Sequence, residues 1–302
     1  MASGRTVEVD GRELKLTNLD KVLYPKAGFT KGEVVDYYAK VAAAIVPHLK
    51  GRPLTLRRFP EGVDDTEAAF FEKRCPKHRP DWVKTARVSA ETGEIDFCVC
   101  EDRPTLVWMA QLAAIELHPS LSLAERLDRP TVLVFDLDPG PPADVIDCCR
   151  IAVRLRELFG HFGVECLPKT SGSKGLQVYV PLNTETSYDE TKPLARAIAQ
   201  LLEKQTPKEV VSKMKKVDRK GKVFVDWSQN HARKTTIAVY SLRARERPTV
   251  STPVSWEEVE GALDREDRDC LVFEAGDVLE RIEEHGDLFA PVLELKQELP
   301  EL

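Results

Sequence analysis

The chain has 302 residues, of which 42% are hydrophobic and 31% charged, and its formal net charge at pH 7 is −6. These values are typical of a globular protein with one or two hydrophobic cores, and they exclude a disordered or fibrous chain. Apolar stretches fall short of the roughly 18 residues of a membrane span, so no membrane partner is expected. The N-terminal residues lack the apolar core of a signal peptide, which predicts a cytoplasmic location.

Helical and strand patterns alternate along the chain. Thr30 and Glu33 have the spacing of a capping box, and apolar residues follow with helical period, so 31–49 is predicted to be an amphipathic helix. The other predicted elements are, in chain order, a strand and turn within 51–62, a buried helix over 103–118, a strand at 131–136, a helix at 144–159, two strands joined by a loop within 164–182, a helix near 188–204, and strands within 222–230 and 234–242.

This order of elements predicts a fold of the α/β or α+β class, in which mixed β-sheets are flanked by helices. We expect one compact domain over 1–302, with an N-terminal subdomain at 1–120 and a core at 121–302 whose acidic C-terminal segment packs as helices. Charge is uneven along the chain, because 208–222 carries seven basic and two acidic residues. That basic run is either a solvated surface or a cationic patch for a polyanion.

The chain contains seven cysteines, an odd number. In a chain expected in the cytoplasm this predicts reduced, buried thiols and no disulfide framework. The alternative is a zinc site formed by Cys75-x-x-His78 and Cys98-x-Cys100. The Cys-x-Cys spacing is unusual for a structural zinc centre, so buried thiols are the preferred interpretation.

Three aspartates occur at or near the ends of apolar strands. Asp136 and Asp138 end the stretch "TVLVFDLDPG", and Asp226 lies in "VFVDW". Residues two apart on a strand face the same side, so Asp136 and Asp138 are predicted to point together. Adjacent carboxylates repel each other, and Mg²⁺ or Mn²⁺ relieves that repulsion. The alternative is turn chemistry at Asp138-Pro139-Gly140, with Asp136 hydrogen-bonded to the backbone.

Two further features are suited to phosphate. The loop "KTSGSKGL" contains Ser171, Lys174 and small residues that allow backbone amides to face an anion, although it lacks the spacing of a Walker loop. Arg243 and Arg245 follow the last predicted strand and are expected to share a face. The alternatives are a Gly/Ser turn with a solvated lysine for the loop, and surface salt bridges for the two arginines.

Taken together, the ordered stretches "VFDLDPG", "TSGSKGL", "GKVFVDWSQN" and "KTTIAVYSLR" resemble the polymerase domain of bacterial ligase D, a member of the archaeo-eukaryotic primase superfamily. The resemblance extends over nearly the whole chain, including "LTNLDKVLYP" and "GRPLTLRRFPEGV". It implies a primase-like catalytic core. Because no ligase or nuclease segment is recognisable, it implies a stand-alone primase-polymerase, expected in the bacterial cytoplasm near the nucleoid.

The resemblance also implies roles for individual residues. Asp136, Asp138 and Asp226 match metal-binding catalytic aspartates that hold two divalent ions, Mn²⁺ or Mg²⁺. Residues matched to contacts with the incoming nucleotide are His118, Ser171, Lys174, Gln177, Gln229, Arg243 and Arg245. Residues matched to DNA contacts are Lys21 and Lys31 at a 5′-phosphate, Arg57, and Phe70 and Phe71 on template bases.

The sequence departs from the family pattern at one of these positions. The motif "SGSKGL" normally ends in histidine, whereas this chain has Gln177. A glutamine side chain donates and accepts hydrogen bonds but carries no charge and does not act as an acid. If the histidine assists the leaving pyrophosphate, the reaction here is slower or depends on Lys174.

The sequence therefore predicts a template-directed nucleotidyltransferase that fills short gaps or ends in DNA with NTPs or dNTPs. The resemblance implies a preference for Mn²⁺ and ribonucleotides, a substrate with a downstream 5′-phosphate, and a DNA ligase or Ku-type end binder as partner. The alternative is a catalytically weak or inactive module that binds gaps or ends through the 5′-phosphate. A primase that starts synthesis without a primer is a third possibility that the sequence leaves open.

Overall fold

Residues 4–90 and 93–300 are described by the structure, which is a computed structural model. The described chain divides into two units. The first unit comprises the described parts of Met1–Ser120 together with Ile237–Val250 and Glu274–Gly286. The second comprises Leu121–Thr236, Ser251–Phe273 and the described part of Asp287–Leu302. No helix among these residues has the length and hydropathy needed to cross a membrane.

The first unit contains nine strands and three helices among its described residues. Two pairs of strands form small sheets, β1–β2 and β3–β4, and the other five strands form one sheet in the order β6-β5-β8-β7, with β9 paired to β5. The elements are β1 (Gly4–Val9), β2 (Arg12–Thr17), β3 (Val22–Tyr24), β4 (Phe29–Thr30), α1 (Lys31–Leu49), β5 (Leu54–Arg58), β6 (Phe70–Glu72), β7 (Thr85–Ala90), β8 (Gly93–Cys98), α2 (Arg103–Gln111), β9 (Ala114–Pro119) and α6 (Ala275–His285).

Helix α1 forms where the sequence predicts it and fixes strand β9. Thr30 and Glu33 form the expected reciprocal capping box at its N-terminus. On its buried side the Tyr38 hydroxyl donates to the carbonyl oxygen of Ile115 at 2.6 Å. The Leu117 amide in turn donates to Ser241 Oγ at 3.0 Å, so a segment more than a hundred residues further along the chain completes this part of the unit.

Two predicted elements are wrong. The apolar stretch 103–118 is not one helix: α2 ends at Gln111, and β9 follows after Ala113, whose φ of 56° is left-handed. The apolar run supplies two successive buried elements, which its composition alone does not separate. The predicted strand at 234–242 is also absent. Its amides bond to scattered partners instead of one ladder, as with the Leu242 amide and Tyr38 Oη at 3.2 Å.

The second unit is built on a five-stranded sheet in the order β11-β12-β10-β14-β13. Strand β13 is parallel to β14, and the other pairs are antiparallel. The elements are β10 (Val132–Pro139), α3 (Val145–Gly160), β11 (Leu167–Thr170), β12 (Leu176–Pro181), α4 (Tyr188–Gln205), β13 (Val210–Val211), β14 (Val223–Asp226), α5 (Trp256–Arg265), α7 (Pro291–Glu294), and short 3₁₀ turns at Lys216–Arg219, Trp227–Gln229 and Asp269–Leu271.

Strand β10 separates the core of the second unit from its carboxylates. Leu133, Phe135 and Leu137 are fully buried in the hydrophobic cluster that includes the apolar side of α3. Because successive residues of a strand alternate between faces, Asp136 and Asp138 project from the opposite face of the sheet. The strand is three residues longer at its C-terminal end than the predicted 131–136, so it carries both aspartates within its ladder.

The prediction that all the cysteines are reduced is wrong. Cys75 and Cys98, both buried, form a disulfide in the first unit, while Cys100, Cys148, Cys149, Cys166 and Cys270 are free. The sequence signal failed because an odd number of cysteines is compatible with one bridge. The bridge also uses two of the four residues of the alternative zinc site, and no group of three or more His, Cys, Asp or Glu residues suited to a metal is found in the described chain.

We expect the disulfide to contribute measurably to the stability of the first unit. Its loop of 23 residues corresponds to roughly 3 kcal/mol in the chain-entropy account. The variant Cys98→Ser should lose about that much unfolding free energy in urea denaturation, and dithiothreitol should lower the wild type to the same level. As a control, Cys270→Ser should change stability by no more than about 0.5 kcal/mol. An unchanged wild type in dithiothreitol would show that the pair is not oxidised in solution.

Candidate functional site

The three predicted aspartates lie on one face of the second unit's sheet. In the register of β10 and β14, Asp136 is the direct partner of Asp226, and Asp138 is the partner of Phe224. Direct partners on antiparallel strands project from the same face. Asp136 and Asp226 are half-buried, whereas Asp138 is exposed. The fold therefore brings the three carboxylates to neighbouring positions at the end of β10.

These carboxylates influence one another electrostatically. Burial and the nearby charges of Asp138 and Asp226 raise the pKa of Asp136, a hydrogen bond from Gln177 and the charge of Lys169 lower it, and the net result is a pKa of about 7. A carboxyl group with a pKa near neutrality is protonated in about half of the molecules at pH 7. A cation beside it would stabilise the ionised form and displace that proton.

The side chain of Asp226 is held by hydrogen bonds from the 3₁₀ turn Trp227–Gln229 that follows it. Its Oδ1 accepts hydrogen bonds from the Ser228 amide at 2.9 Å and from Ser228 Oγ at 2.5 Å, and its Oδ2 accepts one from Gln229 Nε2 at 3.0 Å. Both oxygens of the Asp226 carboxylate are thus engaged with donors of the protein. The oxygen chemistry of Asp136, Asp138 and Asp226 fits Mg²⁺ or Mn²⁺, and the three-aspartate metal centre stays a prediction.

The glycine- and serine-containing loop between β11 and β12 is tightly folded. Ser171 Oγ accepts hydrogen bonds from the amides of Ser173 at 3.2 Å and Gly175 at 3.1 Å, so this hydroxyl organises the loop. A Cβ atom at Gly175 would lie 2.0 Å from the carbonyl oxygen of Leu137, so only glycine lets the loop lie this close to β10. Lys174 is exposed at the tip of the loop.

Gln177 belongs to a row of polar residues that crosses four strands. Gln177 on β12 is the register partner of Asp136 on β10 and of Lys169 on β11. Asp136 is in turn the register partner of Asp226 on β14, so the order across the sheet is Lys169, Gln177, Asp136, Asp226. Gln177 is 2% exposed, and its Oε1 accepts a hydrogen bond from Lys169 Nζ at 2.5 Å. Sequence analysis missed Lys169, because one lysine in "LPKTSG" gives no sign that it is buried.

A second row of polar and aromatic residues lies in the first unit. Strand β5 places Arg57 between its register partners Phe71 on β6 and Glu116 on β9. The Arg57 guanidinium lies 5.2 Å from the Phe71 ring centre, and the Phe71 ring lies 5.7 Å from that of His118. Phe70 and Phe71 are 42% and 59% exposed, so they are not core residues.

Glu116 is the charged centre of this row. Its buried carboxylate contacts Arg57 Nη1 at 3.2 Å, His118 Nε2 at 3.1 Å and Arg243 Nε at 3.1 Å. Burial opposes ionisation, but His118, Arg243 and the Ala244 amide hold the pKa of Glu116 well below its usual range. Burial lowers the pKa of His118. Sequence analysis missed Glu116, whose alternation with His118 in "IELH" becomes informative only once this stretch is known to be a strand.

The two arginines of "YSLRARERP" are placed differently. Arg243 is mostly buried against Glu116, whereas Arg245 is exposed. The prediction that they share a strand face is wrong, because no strand precedes them. The Arg245 amide donates to the carbonyl oxygen of Arg243 at 2.9 Å, which is a tight turn of the backbone.

Lys21 and Lys31 are brought together by the backbone at the start of α1. The Lys31 amide donates to the carbonyl oxygen of Lys21 at 2.8 Å. Lys21 Nζ pairs with Glu61 Oε2 at 2.6 Å, whereas Lys31 Nζ is buried and donates to the carbonyl oxygen of Thr17 at 2.9 Å. Burial, with the nearby charges of Lys21 and Arg58, lowers the pKa of Lys31 to about 8.

Comparison with known proteins gives consistent matches. The sequence model of the LigD primase-polymerase domain matches residues 30–289. The multifunctional non-homologous end joining protein LigD of Mycolicibacterium smegmatis is 44% identical over 281 residues, which are 92% of this chain and 36% of that protein. The bifunctional non-homologous end joining protein LigD of Bacillus subtilis is 33% identical over 276 residues, which are 91% of this chain and 43% of that protein. The chain thus spans less than half the length of these relatives.

The structural comparison agrees. The polymerase domain from Mycobacterium tuberculosis ligase D, solved in complex with DNA, matches with a TM-score of 0.85 and 40% identity, over 94% of this chain and 99% of that domain. These matches confirm the predicted α/β class, the predicted resemblance and the enzyme class of nucleotidyltransferases. With a family match over most of its length, the chain belongs to the LigD primase-polymerase domain family.

Proposed function

We propose that the chain is a template-directed nucleotidyltransferase that adds nucleotides to a primer 3′ end at short gaps or broken ends of DNA. The observation that carries this proposal is the register of β10 and β14, which sets Asp136 opposite Asp226 with Asp138 two residues away. Two findings support the proposal. The relatives are named as non-homologous end joining proteins, and the similar mycobacterial polymerase domain was solved in complex with DNA.

Asp136, Asp138 and Asp226 would hold two divalent ions, Mn²⁺ or Mg²⁺. When bound, such ions lower the pKa of the primer 3′-hydroxyl and neutralise charge on the triphosphate. In the second unit, Ser171, Lys174 and Gln229 would hold nucleotide phosphates and sugar. In the first unit, His118, Arg243 and Arg245 would do the same, with Glu116 fixing the orientation of His118 and Arg243.

The first unit also carries the proposed DNA contacts. Phe70 and Phe71 are exposed aromatic residues on which template bases would stack, a contact that tolerates any sequence. Arg57 lies beside Phe71 and would contact the DNA backbone. Lys21 and Lys31 would bind the downstream 5′-phosphate. Two further parts of the proposal rest on the family resemblance alone. The enzyme would prefer ribonucleotides and Mn²⁺, and it would cooperate with a DNA ligase or a Ku-type end binder.

A second candidate is a module that binds DNA gaps or ends without catalysis. It is favoured by one observation: Gln177, which carries no charge and does not act as an acid, occupies the position where the family resemblance implies histidine. Thermal stabilisation by NTP with Mn²⁺ supports the enzyme. Binding of 5′-phosphorylated gaps without such stabilisation supports the module.

Replacing Asp136 tests the catalytic proposal. On gapped DNA with Mn²⁺ and NTPs, Asp136→Asn should slow primer extension by more than about a hundredfold, because it removes a charged ligand and not merely an outer-shell partner. The matched control Asp189→Asn, at an exposed position of α4, should extend as the wild type does. Full activity of Asp136→Asn would overturn the assigned role, and an inactive wild type would favour the binding module.

The pKa of Lys31 predicts a pH-dependent preference for the 5′-phosphate. Its pKa of about 8 means that Lys31 is charged below that pH and neutral above it. The ratio of affinities for phosphorylated and unphosphorylated gaps should therefore fall as pH rises from about 7 to about 9, by roughly tenfold, since a hydrogen bond to a charged group contributes about 1.5–3 kcal/mol. Lys31→Arg should flatten the profile in fluorescence anisotropy. A fall of equal size in that variant would assign the effect to another group.

Glu116 is expected to stabilise the first unit in a pH-dependent way. Glu116→Gln leaves Arg57 and Arg243 without their carboxylate and should lower the unfolding free energy by about 3 kcal/mol near pH 7. The folded-state pKa is held below the ordinary 4.5, so the stabilisation is present above that pH and is lost as pH falls. In urea denaturation, the difference between wild type and variant should therefore narrow steadily as pH falls below about 4.5. The exposed pair Asp36–Lys40 provides a control, since Asp36→Asn should cost less than about 1 kcal/mol. A constant difference at all pH values would show that lost packing, and not charge, is responsible.

A further inference from the structure

Lys169 is a fully buried lysine at one end of the polar row of the second unit. Its Nζ lies 2.5 Å from Gln177 Oε1 and 2.6 Å from Ser251 Oγ, and 5.4 Å from the Tyr179 ring centre. We propose, on the basis of the function proposed above, that Lys169 is a positioning residue, which acts through Gln177 to orient the Asp136 carboxylate toward a divalent cation.

The direction of the hydrogen bonds carries this inference. A lysine ammonium only donates, so the amide oxygen of Gln177 must face Lys169. The amide nitrogen of Gln177 is then left for Asp136, to which the side chain is also hydrogen-bonded. An ionised carboxylate only accepts, so this orientation of the amide suits Asp136.

Without Lys169 the amide of Gln177 would lose the partner that fixes its orientation. Its oxygen and nitrogen are similar in size, so the group would be able to turn its oxygen toward Asp136. Two oxygens with lone pairs repel each other, and the carboxylate would rotate or take up a proton. Outer-shell partners of this kind typically change metal affinity by about 10–100-fold when they are removed.

The other facing aspartate has a similar arrangement. Lys234 Nζ donates to Ser228 Oγ, and Ser228 Oγ lies 2.5 Å from Asp226 Oδ1. Asp136 and Asp226 are therefore each connected to a lysine through one neutral side chain. In each case the ammonium group is held one side chain away from the carboxylate, and it fixes the orientation of the neutral residue between them.

This arrangement also accounts for Gln177, where the family resemblance leads us to expect histidine. A protonated histidine would combine positive charge and donor in one side chain. Here the donor is on Gln177 and the charge is on Lys169, one strand further from Asp136.

The test is a double-mutant cycle with Mn²⁺ as the probe, without nucleotide or DNA. Isothermal titration with MnCl₂ is applied to wild type, Lys169→Met, Gln177→Met and the double variant, and Lys204→Met removes an exposed lysine of α4 as the matched control. Thermal unfolding shows whether each variant is folded. If Lys169→Met does not fold, Lys169→Gln, which keeps a neutral donor, takes its place.

We expect Lys169→Met to bind Mn²⁺ about tenfold more weakly, Lys204→Met to bind as the wild type does, and the double variant to bind no more than about threefold more weakly than Gln177→Met alone, because sites that act through one another are not additive. At a pH well above the pKa of Asp136, where its carboxylate is ionised in every variant, loss of a positive charge by itself would strengthen cation binding, so weaker binding under that condition identifies orientation as the cause.

Several outcomes would overturn the inference. Unchanged or tighter Mn²⁺ binding by Lys169→Met does so, as do effects of the two substitutions that simply multiply. If the wild type binds Mn²⁺ and extends primers while Lys169→Met is unaffected, the inference fails and the proposed function stands. If the wild type binds no Mn²⁺ and extends no primer, both fail together.

Discussion

Two aspartates stand opposite each other on adjacent antiparallel strands of the second unit, and the rest of that unit's chemistry depends on this pairing. Like charges in direct register destabilise a sheet, yet the core beneath β10 fixes the register, because Leu133, Phe135 and Leu137 occupy the other face. A shift by one residue would place the aspartates in the core and expose the leucines. Hydrophobic packing thus holds the carboxylates together against their repulsion. The hydrogen-bond donors around them, Gln177, Ser228 and Gln229, reduce the free energy that this repulsion costs.

In the first unit, strand register also brings charged side chains together, but there most of them are positive. There a single buried carboxylate, Glu116, is surrounded by Arg57, His118 and Arg243. Strand alternation and register again determine which groups meet. The row in the second unit brings carboxylates together, which suits cations, and the row in the first unit gathers positive and aromatic groups, which suit phosphates and bases.

Much of this arrangement could be predicted from the sequence. The spacing of Asp136 and Asp138 at the end of an apolar run predicts a shared strand face, and the capping box at Thr30 predicts the start of α1, because both signals are local. The boundary between α2 and β9 could not be predicted, since an apolar run that is buried throughout has no periodicity to distinguish helix from strand.

Other features depend on tertiary structure. Lys169 looks like an ordinary surface lysine until β11 is paired with β12, and the Cys75–Cys98 bridge follows from the approach of two segments that the sequence separates by 23 residues. Cross-strand partners of this kind are fixed by register, which a single sequence does not specify. The residues that sequence analysis missed, Lys169 and Glu116, are both of this type.

The first unit is built from separate segments of the chain, and this determines how the protein can be truncated. Its N-terminal portion is completed by Ile237–Val250 and Glu274–Gly286, which return to it after the chain has built most of the second unit. Tyr37 and Tyr38 would lose the backbone and hydroxyl partners supplied by Tyr240 and Ser241. A truncation after Ser120 would therefore expose buried phenols, and a minimal fragment has to be made by joining distant stretches with a linker and not by a single cut.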